Sequence, residues 1–99
     1  FTTDRIKADA ALQLGLVNQV VEPAELLDKA KEMAGKIAAN APFGVRAIKR
    51  VANESVGMTL MDATRLESQL FGDCFDTWDQ KEGMSAFVEK RKHEPYTGK

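Results

Sequence analysis

Three segments of this chain repeat apolar residues at the three- and four-residue spacing of an α-helix, and proline, glycine or threonine bounds each of them. Pro23 and Pro42 stand where they can open the first two helices, and Thr59 can cap the third. A chain of 99 residues built around such helices is predicted to be mainly α. We expect these helices over residues 23–40, 42–56 and 60–75.

Two short elements are predicted before the first of these helices. Residues 8–14 fit two helical turns, and Gly15 stands where a left-handed residue would end them. Residues 16–21 are rich in β-branched side chains and are bounded by Gly15 and Pro23, so we expect one short strand there. A single strand cannot form a sheet, so this one needs partner strands that the 99 residues do not supply.

The last predicted helix begins at Thr77, which can cap it, and runs to about Lys92. The three cations at residues 90–92 would then lie at the negative end of the helix dipole. Phe87 and Lys90 are three positions apart, so an aromatic ring and an ammonium should share one side of the final turns. Such a pair suits a ligand that combines a flat ring with phosphates.

Composition and charge exclude several classes of protein. No apolar stretch approaches the roughly 20 residues that a membrane-spanning helix requires. The formal net charge of -1 gives no general reason to expect nucleic acid. Cys74 is the only cysteine, which excludes an internal disulfide and a cysteine-based metal cluster, and we expect it to be a half-buried or buried structural thiol in an intracellular protein. The only histidine, His93, lies in a polar tail without a set of neighbouring ligands, so no metal site is predicted.

The sequence of residues 77–92, TWDQKEGMSAFVEKRK, resembles the C-terminal helix of the crotonase (enoyl-CoA hydratase/isomerase) superfamily, in which T-x-D-x-x-E-G-x-x-A-F-x-E-K-R recurs. Residues 6–21, IKADAALQLGLVNQVV, are similar to the family's I-x-A-x-x-A-x-x-x-G-L-V-N-x-V-V block. The resemblance therefore covers essentially the whole chain in order, and its last part is most similar to short-chain enoyl-CoA hydratases. Four further residues also stand where such a chain would place them: Pro42, Lys49, Glu67 and Phe71.

The resemblance implies a particular place in that fold. Residues 41–99 would form the helical trimerisation region that contacts coenzyme A (CoA), and residues 1–40 would form the C-terminal edge of the core. The strand at 16–21 would belong to a spiral of β-β-α units that precedes Phe1. The family assembles as a homotrimer, often paired into a hexamer, which suits the helix at 60–75 because its apolar residues lie on several sides.

The implied activity is the reversible syn addition of water to a trans-2-enoyl-CoA, which gives a 3-hydroxyacyl-CoA in fatty-acid β-oxidation or butanoyl-CoA-type metabolism. In the family, two backbone N–H groups stabilise the thioester oxyanion and two glutamates guide the water. These groups would precede Phe1, so no catalytic residue is predicted in this chain, and the chain alone should be inactive. The CoA thioester is the substrate and no cofactor is implied. The implied location is the cytoplasm, or the mitochondrial matrix in a eukaryote.

Phe87 and Lys90 are the candidate CoA-binding residues, because they match the positions at which the family's last helix approaches the adenine and phosphates of a neighbouring subunit's CoA. From the residues alone, Phe87 could instead be a core aromatic, and Lys90 could be part of a solvated helix end. Gly83, which is unfavourable inside a helix, would be explained by a close approach of another helix or a ligand.

Other interpretations remain open at this stage. Glu67 interrupts an apolar stripe and is expected to be a partly buried carboxylate paired with Arg46, Lys49 or Arg50. Arg46, Lys49 and Arg50 form a basic face on the predicted second helix, and one branch of the family binds AU-rich RNA. This face has no interleaved aromatic residues, so nucleic acid is not expected as a partner. The chain could also be a helical oligomerisation module without chemistry, or part of another acyl-CoA enzyme of the family, such as an enoyl-CoA isomerase.

Overall fold

The computed structural model describes residues 2–99, and over that range the chain is helical with no strand. The prediction of a mainly α fold is therefore confirmed. A short 3-10 turn at Pro23–Glu25 leads into the second of five α-helices in the described chain. The helices are α1 Ala8–Gln13, α2 Leu26–Ala38, α3 Pro42–Glu54, α4 Leu60–Cys74 and α5 Trp78–Glu89.

The chain divides into two compact units, one that ends at Met33 and one that runs from Ala34 to Lys99. The first unit contains α1 and most of α2, and the second contains α3, α4, α5 and the residues that follow α5. The functional division between residues 1–40 and 41–99 stays a prediction.

The first unit ends α1 at the predicted glycine. Gly15 has a φ of 72°, its N–H donates to the Leu12 carbonyl at 3.0 Å, and the Leu16 N–H donates to the Ala11 carbonyl at 2.9 Å. These two bonds form a Schellman motif, in which one left-handed residue ends a helix and satisfies its last carbonyls. Glycine suits that residue because it has no Cβ to oppose a positive φ.

The strand predicted over residues 16–21 is not formed, and this prediction is wrong for the described chain. The residues there adopt no regular secondary structure. A strand is held by hydrogen bonds to a neighbouring strand, and no second strand exists within residues 2–99 to provide them. The β-branched composition alone cannot replace that partner.

In the second unit α3 packs against α4, and the buried residues at this contact are Ala47 and Leu70. The apolar spacing of the helix predicted over residues 42–56 includes Ile48 and Val56, which would face a core, but they are 74% and 81% exposed. An amphipathic helix buries its apolar face only where another layer covers it. Much of the predicted core face therefore remains on the surface of this chain.

Threonine caps begin α4 and α5 as predicted. The Thr59 hydroxyl accepts the Asp62 N–H at 3.2 Å, and the Thr77 hydroxyl accepts the Gln80 N–H at the same distance. Such caps fix the residue at which a helix begins. The cap at Thr77 thereby sets the register of α5, which contains Phe87 and ends next to Lys90.

Candidate functional site

The last helix ends earlier than predicted and contains only one of the two candidate residues, Phe87. Instead of continuing to Lys92, α5 ends at Glu89, and Lys90 adopts the left-handed conformation with φ 55° and ψ 36°. The Lys90 N–H donates to the Phe87 carbonyl at 3.3 Å, and the Arg91 N–H donates to the Ala86 carbonyl at 3.0 Å. This is the Schellman motif again, with lysine at the position where α1 has a glycine.

A left-handed lysine is conformationally costly. The contact between Cβ and the following carbonyl disfavours this conformation by roughly 1–2 kcal/mol for residues other than glycine. Strained residues of this kind persist where the surrounding structure determines the conformation, and they concentrate at functional sites. The structure around Lys90 therefore has to supply the stabilisation that the backbone itself does not.

The backbone of the closing turn joins the two candidate residues, since the Lys90 N–H donates to the Phe87 carbonyl. The Phe87 side chain is 80% exposed and Lys90 is also exposed. Phe87 is therefore not a core aromatic of the described chain. Within residues 2–99 the Lys90 ammonium forms no ion pair. An aromatic ring and a lysine thus remain available on the surface at the end of one helix.

One carboxylate ties the residues after this turn back to the helix. Glu82 accepts hydrogen bonds from both Nη atoms of Arg91, at 2.5 and 3.0 Å, and from the Glu94 N–H at 2.8 Å. Arg91 also donates through Nε to Glu89 at 2.6 Å. The Glu82 side chain is only 10% exposed. The Arg91 guanidinium, assisted by the Glu94 N–H, lowers the pKa of Glu82 to about 2. We call this cluster, Glu82, Glu89 and Arg91, the carboxylate clamp.

A second carboxylate holds the C-terminal tail, residues 93–99, at the start of α5. Asp79 is 1% exposed and accepts the N–H groups of Thr97 and Gly98, at 2.7 and 2.8 Å, and the Thr97 hydroxyl at 3.3 Å. The Trp78 N–H donates to the Lys99 carbonyl at 2.7 Å. The three hydrogen bonds to Asp79 satisfy a buried carboxylate, which would otherwise be strongly unfavourable.

The tail also explains the glycine inside α5. The structure leaves little room for a side chain at Gly83, because an added Cβ would lie 2.9 Å from the Tyr96 hydroxyl and one of the two would have to shift. Tyr96 is in turn stacked on His93, with ring centroids 4.2 Å apart. The close approach predicted at Gly83 therefore exists, but the tail makes it, not another helix or a ligand.

A shallow apolar groove of about 360 Å³ lies between α3 and α4. Glu67 lines it, but Glu67 is exposed, not partly buried as predicted. The predicted ion pair with Arg46, Lys49 or Arg50 is not formed either, and Arg50 pairs with Glu54 at 2.8 Å. In the part of the chain described here, no hydrogen bond or ion pair reaches the Glu67 side chain. Cys74 is half-buried as predicted, and its Sγ donates to the Leu70 carbonyl at 3.3 Å.

Residues 2–99 contain neither a helix suited to a membrane nor a group of metal ligands. None of the described helices combines the length and the apolar character needed to cross a bilayer. In the same range, no three residues among His, Cys, Asp and Glu are grouped so that they could hold a metal ion.

The sequence reasoning missed both carboxylate sites. Asp79 and Glu82 lie in the first turns of α5, where an acidic residue is favourable for the helix dipole alone, whereas here each one binds the chain beyond the helix. The nine-residue separation of Glu82 and Arg91 matches no helical pairing, because the chain reverses at Lys90. The available signal was the spacing of Asp79, Glu82 and Gly83, which are close in sequence and all contact the tail.

The pattern that defines the enoyl-CoA hydratase/isomerase family matches residues 1–98. The chain is 51% identical over 96 residues to a short-chain-enoyl-CoA hydratase of Clostridium acetobutylicum, a match that covers 97% of this chain and 37% of that protein. It is 49% identical over 92 residues to a crotonyl-CoA hydratase of Syntrophomonas wolfei, with 93% and 35% of the two chains covered. A crystal structure of enoyl-CoA hydratase from Geobacillus kaustophilus superimposes with a TM-score of 0.93 at 38% identity, over 99% of this chain and 37% of that one. The chain thus spans little more than a third of the length of these relatives.

Proposed function

This chain belongs to the enoyl-CoA hydratase/isomerase family, and we propose that it forms the C-terminal part of a short-chain enoyl-CoA hydratase. The reaction is the addition of water to a trans-2-enoyl-CoA, giving a 3-hydroxyacyl-CoA. Support comes from the identity of 51% and 49% to two relatives that are named as hydratases of short-chain substrates. Both matches extend over nearly all of this chain.

The observation that carries the role of this part of the enzyme is the exposed pair at the end of α5. Phe87 presents a flat apolar face of the kind that stacks on an adenine ring. Lys90 presents an ammonium that no carboxylate of the described chain neutralises, and an ammonium is suited to bind phosphate as a point charge. The two together match the adenine and phosphate groups of CoA. We propose that they contact the CoA of a neighbouring subunit.

The chemistry would be supplied by residues outside this chain. Hydration needs a positioned base and acid for the water, and donors for the enolate oxygen. We place these groups in the part of the enzyme that corresponds to the other two thirds of its relatives. On this account the 99-residue chain alone is inactive. The CoA thioester is the substrate, and neither a metal nor an organic cofactor takes part.

Assembly and location follow the same proposal. Residues 41–99 form the region through which subunits associate as a trimer or a pair of trimers, and residues 1–40 form the edge of the catalytic core. The exposure of Ile48, Val56 and Phe71 supports this role, since exposed apolar groups of this size favour a covering partner. The enzyme would act in the cytoplasm, or in the mitochondrial matrix of a eukaryote.

The CoA role is tested with Lys90→Ala in the full-length protein, meaning this chain joined to the residues that we propose precede it. The substrates are crotonyl-CoA and the corresponding crotonyl-pantetheine thioester, which lacks the adenine nucleotide. We expect KM for the CoA ester to rise about tenfold, because a charge-assisted contact is lost, while KM for the pantetheine ester stays the same. The matched control is Lys92→Ala, an exposed lysine two residues away. Equal KM values for wild type and Lys90→Ala would refute the assignment.

An oligomerisation module without chemistry is the second candidate, and the same exposed apolar residues favour it. The two candidates differ in one respect. A module of this kind would self-associate, but the full-length protein would neither bind crotonyl-CoA nor hydrate it.

A further inference from the structure

We propose that Glu82 and Arg91 are positioning residues that hold Lys90 in the orientation required to bind the phosphates of CoA. The inference rests on the proposed function and extends it to residues that do not touch the ligand. It begins from the carboxylate clamp described above, in which one glutamate contacts the chain on the far side of the left-handed turn.

The position of the clamp relative to Lys90 is the first argument. Glu82 lies on α5 before the turn, and its two partners, Arg91 and the Glu94 N–H, lie after it. Lys90 is therefore the residue at which the chain reverses between two fixed points. Moving Lys90 out of the left-handed region would pull Arg91 and Glu94 away from the carboxylate, so the clamp opposes the intrinsic preference of lysine for negative φ.

The comparison with α1 is the second argument. Both helices end in the same pair of backbone hydrogen bonds, but α1 places Gly15 at the left-handed position and α5 places Lys90 there. In α1 no carboxylate spans the turn among the hydrogen bonds of the described residues. The strained residue thus lies at the end of α5, and this is the helix end across which a carboxylate binds the following residues.

The distribution of charge is the third argument. Arg91 is engaged by two carboxylates, Glu82 and Glu89, so its charge is compensated within the helix end. Lys90 has no such partner in the described chain. The clamp therefore fixes the turn with one cation and leaves the next one available to an anionic ligand.

A double-mutant cycle in the full-length protein tests the inference. Glu82→Gln keeps the size of the side chain but weakens its bond to Arg91, and we expect it to raise KM for crotonyl-CoA about threefold to tenfold with kcat unchanged. KM for the pantetheine ester should not change. In a Lys90→Ala background the same substitution should have no further effect, because no ammonium remains to be positioned. Arg91→Gln should reproduce these results if Glu82→Gln yields too little folded protein.

The outcomes separate this inference from the proposed function. If Lys90→Ala raises KM but Glu82→Gln and Arg91→Gln do not, Lys90 binds CoA without the clamp, and only this inference is wrong. An equal rise of KM for Glu82→Gln with and without Lys90 would show that Glu82 acts on the fold in general. If Lys90→Ala leaves KM unchanged, this inference and the CoA contact of Lys90 both fail, whereas the proposed reaction fails only if the full-length protein does not hydrate crotonyl-CoA. Glu54→Gln, which weakens the exposed pair with Arg50, is the matched control and should behave as wild type.

Discussion

The Tyr96 hydroxyl lies so close to the Cα of Gly83 that a methyl group added there would meet it at 2.9 Å. A glycine inside a helix is less favourable than alanine by about 1 kcal/mol. The close contact with Tyr96 is the structural reason why a glycine nevertheless stands at position 83. The contact is one of several by which α5 holds the tail. It shows that the helix is shaped by residues that follow it in the chain.

Gly83→Ala tests that contact. In the wild type the gain in helix propensity is opposed by the clash with Tyr96, whereas in a Tyr96→Phe background the hydroxyl is gone. We expect Gly83→Ala to be more favourable in the Tyr96→Phe protein by about 1 kcal/mol in the free energy of unfolding. Urea denaturation of the four proteins measures it. Equal effects in both backgrounds would show that the hydroxyl does not exclude a side chain at position 83.

Asp79→Asn should release the tail. The amide group can keep only part of the three hydrogen bonds that the carboxylate accepts, and its NH₂ would face an N–H donor of Thr97 or Gly98. We expect a loss of about 1.5–3 kcal/mol in the free energy of unfolding, together with faster proteolysis of residues 93–99. Asp76→Asn, at an exposed aspartate, is the control. A tail that stays equally protected in Asp79→Asn would contradict the role given to Asp79.

Lys90→Gly separates CoA binding from folding. Glycine tolerates the φ of 55° at this position, so the variant should be more stable than wild type by about 1 kcal/mol. It should nevertheless lose as much affinity for crotonyl-CoA as Lys90→Ala, because both lack the ammonium. Thermal denaturation and KM measure the two effects. A Lys90→Gly protein with wild-type KM would mean that the side chain has no role in binding.

The pKa of Glu82 predicts a pH dependence. The folded value is about 2, below the ordinary value of 4.5, because Arg91 and the Glu94 N–H bind the ionised form. The stabilisation from this carboxylate is therefore complete above about pH 4.5, declines as the pH falls, and is lost below about pH 2. Glu82→Gln lacks it at every pH. The difference in unfolding free energy between wild type and Glu82→Gln should therefore shrink as the pH falls from about 4.5 to about 2. A difference that stays constant over this range would count against the ion pair.

The helices and their beginnings could be predicted from sequence because local residues determine them. The caps at Thr59 and Thr77 involve partners three positions away, and Gly15 marks its own turn by residue type. Lys90 gave no such sign, since lysine is not a residue type that favours the left-handed conformation that it adopts.

Other features depended on contacts that a local pattern does not contain. The link from Asp79 to the tail spans 18 and 19 positions. The strand expected at residues 16–21 failed for the opposite reason, since its local pattern was favourable but its partner strand is absent from the described residues. Phe87 and Lys90 both lie at the end of α5, but a left-handed turn at Lys90 replaces the helical turn that was expected to put them on one side, and their role in CoA binding stays a prediction.

An assay of crotonyl-CoA hydration tests the central claim most directly. It measures the disappearance of the enoyl thioester. The assay compares the full-length protein with the 99-residue chain alone. We predict that the full-length protein forms 3-hydroxybutanoyl-CoA rapidly. The chain alone should give only the rate of hydration that is measured in buffer without protein. A full-length protein that leaves crotonyl-CoA unchanged, or a 99-residue chain that hydrates it above that rate, would contradict the account.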